Sequence, residues 1–206
     1  MKKTFILLVC LALRLLFPVT LHAAPPTIAT LRAEVPVEAD GKLDESVWKR
    51  CSEDPHGAAV AWRRVGKPNQ PSSDQRTAYF AYDQKYLFVA LVVKYGDGLP
   101  SDSDVSGGTD SVRLDFDGVA LGITSDGQQQ PDIMLPYLVP IRFAVQGTDN
   151  GWTAEIALEW SQLHVSPKAG MKIPFNIGGR DVSGPISWAP VADVRDVKSF
   201  GVLELQ

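Results

Sequence analysis

Three aspartates, Asp110, Asp115 and Asp117, stand in the stretch SGGTDSVRLDFDG (residues 106–118), and the loop ahead of it adds Asp102 and Asp104. Carboxylates so spaced are the ingredients of a metal site, of a hydrolytic pair, or of the wet face of a strand. Asp102-x-Asp104-x-Ser106-Gly107 imitates the first half of a calcium loop, which is built from hard oxygen ligands. Arg113 occupies the twelfth position, where an EF-hand needs a bidentate glutamate, so that motif is excluded. Two readings stay open: a simpler structural calcium on Asp102, Asp104 and Asp110, or a hydrated turn without metal.

Glycoside hydrolysis needs two carboxyl groups about 5 to 9.5 Å apart. Glu155 and Glu159 lie four residues apart on an expected strand, roughly 13 Å at ~3.3 Å per residue, which is too far. They read as two solvated carboxylates on the exterior of a sheet. His56 and His164 have no second histidine or cysteine at ligand spacing, which argues against zinc. Neither a G-x-S-x-G elbow nor a phosphate-cradling glycine loop is present. No residue is assigned a catalytic role, and the chain reads as a non-enzyme.

Saccharides are gripped by aromatic platforms with polar groups fixing the hydroxyls. Trp48, Trp152 and Trp160 fall in patterned apolar runs and read as core. Trp62 and Trp188 sit nearer loops, close to Arg63, Arg64 and Arg195. The candidate saccharide contacts are therefore Trp62, Trp188, Arg113 and Arg195.

The elements that must position these residues are mostly strands. TAYFAY (77–82) and YLFVALVVKY (86–95) form a hairpin through Asp83-Gln84-Lys85. Val112, Leu114 and Phe116 alternate with Arg113, Asp115 and Asp117, the period-two pattern of a strand with one buried face. VALGIT, IRFAVQ, GWTAEIALEW, MKIPFNIGGR and FGVLEL follow as further strands, and in GWTAEIALEW Trp152, Ala154, Ile156, Leu158 and Trp160 share a face. Pro25, Pro26 and Pro36 keep the segment near residue 30 extended. One short helix is expected around Val47, Trp48 and Cys51, capped by Asp44. This pattern predicts an all-β fold, an antiparallel β-sandwich of the jelly-roll kind with one short N-terminal helix.

MKKTFILLVCLALRLLFPVTLHA reads as a secretory signal peptide, residues 1–23, with cleavage near Ala23. Arg14 interrupts its apolar run well short of the ~20 residues of a membrane helix. A single domain, 24–206, remains, destined for secretion or the periplasm. Lys2, Lys3 and Arg14 leave with the signal and no acidic residue does, so the remainder is more acidic than the full chain at −4. That balance argues against nucleic acid as a partner. Cys51 is left as a lone thiol, so no intrachain disulfide forms.

The phrases ADGKLDESVWKRC, TAYFAYDQKYLFVALVVK, DSVRLDFDG, GWTAEIALEWSQL, PFNIGGRD with SWAP, and FGVLEL resemble, in this order, the family 9 carbohydrate-binding modules. The resemblance runs from about residue 35 to 206. It implies a secreted jelly-roll sandwich, often stiffened by calcium, that binds a polysaccharide or oligosaccharide beside enzymes of carbohydrate breakdown. The family's two clamping tryptophans fall at Gly107 and Val194 here, and an acidic contact residue falls at Arg113. Those departures favour either a rearranged saccharide site or a cell-envelope protein-interaction domain on the same scaffold. Related sandwiches also hold haem, for which Met134, Met171 and His164 are the available axial side chains.

Overall fold

The computed structural model describes residues 24–96, 110–130, 140–193 and 196–206. The expected signal segment, Asp102, Asp104, Gly107, Met134, Val194 and Arg195 lie outside the described residues.

The described chain is built from β1 (Thr27–Arg32), α1 (Ser46–Glu53), β2 (Ala58–Ala59), β3 (Arg63–Arg64), β4 (Lys67–Pro71), β5 (Gln75–Tyr82), β6 (Tyr86–Lys94), β7 (Ser111–Phe116) and β8 (Val119–Thr124), followed by β9 (Gln129–Gln130), β10 (Arg142–Thr148), β11 (Gly151–Glu159), β12 (Lys172–Asp181), β13 (Gly184–Ser187) and β14 (Gly201–Leu205). One layer runs β10-β11-β6-β5, all antiparallel. In the other, β12 carries β7 and then β8 on one side, with β14 and β13 sharing its opposite side.

The expected all-β sandwich with one short helix is the observed one, with an amendment at its seam. β1 is parallel on both sides: Thr27–Thr30 pair with β14 in one layer and Leu31–Arg32 with β5 in the other. The sheet is therefore mixed, and β1 stitches the layers together at one edge. Parallel pairing leaves no alternation signature in sequence, so only the extended character of this segment was legible there.

Alternation places the core. Val112, Leu114 and Phe116 of β7 meet Leu87, Val89 and Leu91 of β6, and Trp152, Ile156 and Leu158 of β11, in one buried cluster. The opposite face of β6 is buried as well. Phe88, Ala90 and Ala157 lie under Val47, Trp48 and Cys51 of α1. A strand covered on both faces reads as a continuous apolar run, which is why YLFVALVV lacks polar alternation. The helix is capped one residue later than expected. Glu45 is the N-cap and makes no side-chain capping bond; it reaches back to accept from Glu38 N at 3.0 Å.

Candidate functional site

The opening stretch is structural on one side and charged on the other. Arg113 Nε donates to Asp115 at 2.6 Å, and the Asp115 side chain is only 4% exposed, so the face expected to be wet is half covered. β8 and β12 flank β7 on both edges and close over its short carboxylate. Asp117, in the turn, is exposed.

Asp110 enters a buried ion network that composition did not announce. The Arg76 guanidinium, fully buried, donates through Nε to both oxygens of Asp74 at 3.1 Å, and through Nη2 to Asp74 at 2.7 Å and to Asp110. Its Nη1 donates to Ser111 O at 3.0 Å. The second oxygen of Asp110 accepts from Trp152 Nε1 at 2.8 Å. As a calcium ligand Asp110 fits poorly, because a guanidinium already neutralises its charge and would repel a second cation.

The rings of Trp62 and Trp188, expected as saccharide platforms, are both buried. Trp62 is 2% exposed; its Nε1 donates to Ala59 O and the Arg76 guanidinium lies 5.8 Å from its ring centre. Trp188 is 8% exposed and lies over Gly201, where a side chain is missing. Both rings are consumed by partners remote in sequence. A cleft of about 370 Å³ does open beside Trp62, lined by Val60, Pro71, Ser72, Asp74 and Arg76. Its polar floor is already engaged internally: Ser72 donates to Asp74 and to Asp181 at 3.0 Å, and Asp74 holds Arg76.

Glu155 departs furthest from expectation. Expected on a solvated exterior, it is 1% exposed, because residues 39–48 fold over the outer face of β11. It accepts from Gly41 N at 2.9 Å, Asp40 N at 3.1 Å and Trp48 Nε1 at 2.7 Å. Burial first, and the Glu45 carboxylate after it, push its pKa up to about 7.

Glu159, by contrast, faces a groove of about 350 Å³ on the outer surface, where β6, β11 and β10 end side by side. Tyr86 forms its aromatic wall, paired in register with Glu159. Arg142 lies 4.4 Å over the Tyr86 ring and Lys85 Nζ 5.0 Å from it. Lys85 also reaches Glu159 at 3.4 Å, and Tyr86 Oη donates to the same carboxylate at 3.4 Å. Partial desolvation of Glu159 is outweighed by Lys85, which holds its carboxyl below the usual range and ionised. Among the described residues no carboxylate pairs with Arg142, which lines the groove over the Tyr86 ring. An aromatic, a carboxylate, the Arg142 guanidinium and the Gln162 amide thus line one open depression, with Lys85 at its edge on Glu159. This set can pack a ring's C–H face and hydrogen-bond hydroxyls. Tyr86 was hidden in sequence inside an apolar run; the turn acid Asp83, which accepts from Tyr86 N at 2.6 Å, was the available cue that the chain reverses there.

His164 caps the 160–163 turn in a left-handed conformation (φ 55°) and is exposed, while Met171 packs against the core. Among the described residues no three His, Cys, Asp or Glu side chains converge as a metal-holding group, and no helix is long and apolar enough to cross a membrane.

No family model matches the sequence, and no curated protein matches it. Solved structures do. A family 9 carbohydrate-binding module from Caldicellulosiruptor kristjanssonii in complex with glucose superposes with a TM-score of 0.60 at 15% identity, covering 87% of this chain and 95% of that one. The same kind of module from that organism in complex with cellotriose gives 0.59, again at 15% identity, over 87% and 93%. The chain has the β-sandwich fold of the family 9 carbohydrate-binding modules.

Proposed function

We propose that this chain is an exported, non-catalytic saccharide-binding module whose contact surface is the groove between Tyr86, Arg142 and Glu159. The observation that carries the reading is the fold shared with glucose- and cellotriose-bound modules over 87% of the chain. The groove supports it as a depression in which a half-buried aromatic, a carboxylate and a guanidinium stand together at the surface. Export rests on residues 1–23, and a role beside polysaccharide-degrading enzymes rests on the kinship of fold. Binding without chemistry is consistent with Glu159, whose carboxylate is neutralised by Lys85 and has no second carboxylate beside it in the groove.

Isothermal calorimetry of residues 24–206 against gluco-, xylo- and manno-oligosaccharides tests the reading. Heat of binding is expected, with an affinity that falls roughly tenfold in Tyr86→Ala. Silence across the panel at millimolar ligand, with the protein folded, overturns it.

A further inference from the structure

We propose that Glu155 and Glu45 form a proton-operated latch that holds the segment 33–53 against the outer face of the β6–β11 layer. The inference is independent of saccharide binding.

The segment is fastened at two points of its length. Around the second the contact is apolar: Val47, Trp48 and Cys51 cluster with Phe88, Ala90 and Ala157. At the fastening point the Asp40-Gly41 turn offers both backbone N–H groups to Glu155, while Thr153 Oγ1 donates to Gly41 O at 2.8 Å and Gln146 Nε2 to Asp40 O at 3.1 Å. Gly41 needs its left-handed φ of 87° to aim those amides, and a Cβ there would press on Gln146 at 3.0 Å. At the helix the single indole N–H of Trp48 is shared by two carboxylates, Glu155 at 2.7 Å and Glu45 at 3.0 Å.

No cation balances this pair. From the turn, Lys42 is committed to Asp40 at 2.7 Å and is exposed. Elsewhere on the segment, Arg50 is paired with Glu34 at 2.9 Å and Lys49 with Glu53 at 3.9 Å, while Glu38 and Asp44 add negative charge. From the sheet, the residues across from Glu155 are Ala90 on β6 and Ala144 on β10. Glu155 is buried and Glu45 half-buried beside it, and two carboxylates that meet one donor there without a counter-ion cannot both stay ionised at low cost. One proton between them relieves the repulsion and completes the hydrogen bonding.

Opening the segment returns Glu155 to water and to its ordinary value of 4.5, whereas closed it is pushed up to about 7, by burial first. The closed form therefore binds the proton more tightly. Its advantage is full below about 4.5, declines as pH rises to about 7, and falls no further above it. Opening becomes on the order of a hundredfold more frequent across that window.

Hydrogen exchange of the amides of residues 38–53, corrected for intrinsic rates, and the Trp48 indole ¹H–¹⁵N resonance, both followed from pH 4.5 to 8, decide the matter. Expected are an indole titration with a midpoint near 7, an opening constant that rises over the same range, and loss of both in Glu155→Gln. Glu45→Gln is expected to keep the fold and move the midpoint down. An indole resonance flat across this range, or a pH dependence surviving in Glu155→Gln, overturns the latch. Should Glu155→Gln not fold, an unmoved midpoint in Glu45→Gln does the same.

Discussion

Trp152 Nε1 donates to Asp110 Oδ2 at 2.8 Å, across 42 residues of sequence and between the two layers of the sandwich. The same aspartate pairs with Arg76 from β5, so three strands, β5, β7 and β11, are tied at one carboxylate. Removing it would leave a guanidinium with 0% side-chain exposure facing one partner fewer. Asp110→Ala is expected to cost about 3 to 5 kcal/mol, the range for breaking a buried pair on one side. Asp110→Asn, which keeps an acceptor for the indole, should cost less. Urea midpoints of the two variants check the order.

Opposed titrations set a window of greatest stability. Burial works to raise the pKa of Asp181, but Arg64, with the Ser73 and Ser183 amides, outweighs it and holds the carboxyl well below the usual range. A lowered value contributes stability that is present above about 3.8 and is lost as pH falls further. Glu155 does the reverse, losing its contribution as pH climbs from about 4.5 to about 7. Thermal midpoints should therefore peak between roughly pH 4 and 5.5. Asp181→Asn should flatten the acid limb alone and Glu155→Gln the other alone.

Gly201 and Trp188 touch where neither could tolerate a larger neighbour. A Cβ at residue 201 would stand 2.6 Å from Trp188 Cη2 and 2.7 Å from Pro26 O. Gly201→Ala must push the indole or β1 aside, at about 1 to 3 kcal/mol for an overpacked site. Trp fluorescence should shift to the red in the folded state as the ring is displaced, and an unshifted spectrum with unchanged stability would contradict the packing.

How far the sequence could be read follows from what covers each residue. Period-two alternation located β7 and β11 because one core face imposes it on every second side chain. It misplaced Glu155, since the cover comes from a segment 107 residues away at Trp48, and no local pattern records that contact. Trp62 and Trp188 looked available because they lie next to turns, yet Arg76 and Gly201 close over them from other strands. Strands of two residues, such as β2, β3 and β9, are too short to carry any period. The groove at Tyr86 depends on three strand ends being level, and that register is a tertiary property.

Cys51 should behave as an inert core thiol. Burial pushes it up to about 11, partly offset by its contact with Phe80 O at 3.4 Å. The thiolate is the reactive form, so the native protein at pH 8 should resist thiol reagents while the denatured chain reacts at once. Rapid labelling without denaturant would mean that α1 lifts from the sheet on the timescale of the assay.

Saccharide affinity, finally, should follow the groove and not the buried tryptophans. Tyr86 offers an aromatic contact of about 1 to 1.5 kcal/mol, so Tyr86→Ala should weaken binding roughly tenfold. Arg142 stacks on that ring and lines the depression, so Arg142→Ala should weaken binding and increase the mobility of the ring. Trp62→Phe keeps an aromatic ring at a position 2% exposed and should leave affinity unchanged once stability is matched. Titration calorimetry on the three variants separates the alternatives: affinity lost with Trp62 and kept without Tyr86 would move the site to the cleft beside Asp74 and away from the outer face of the sandwich.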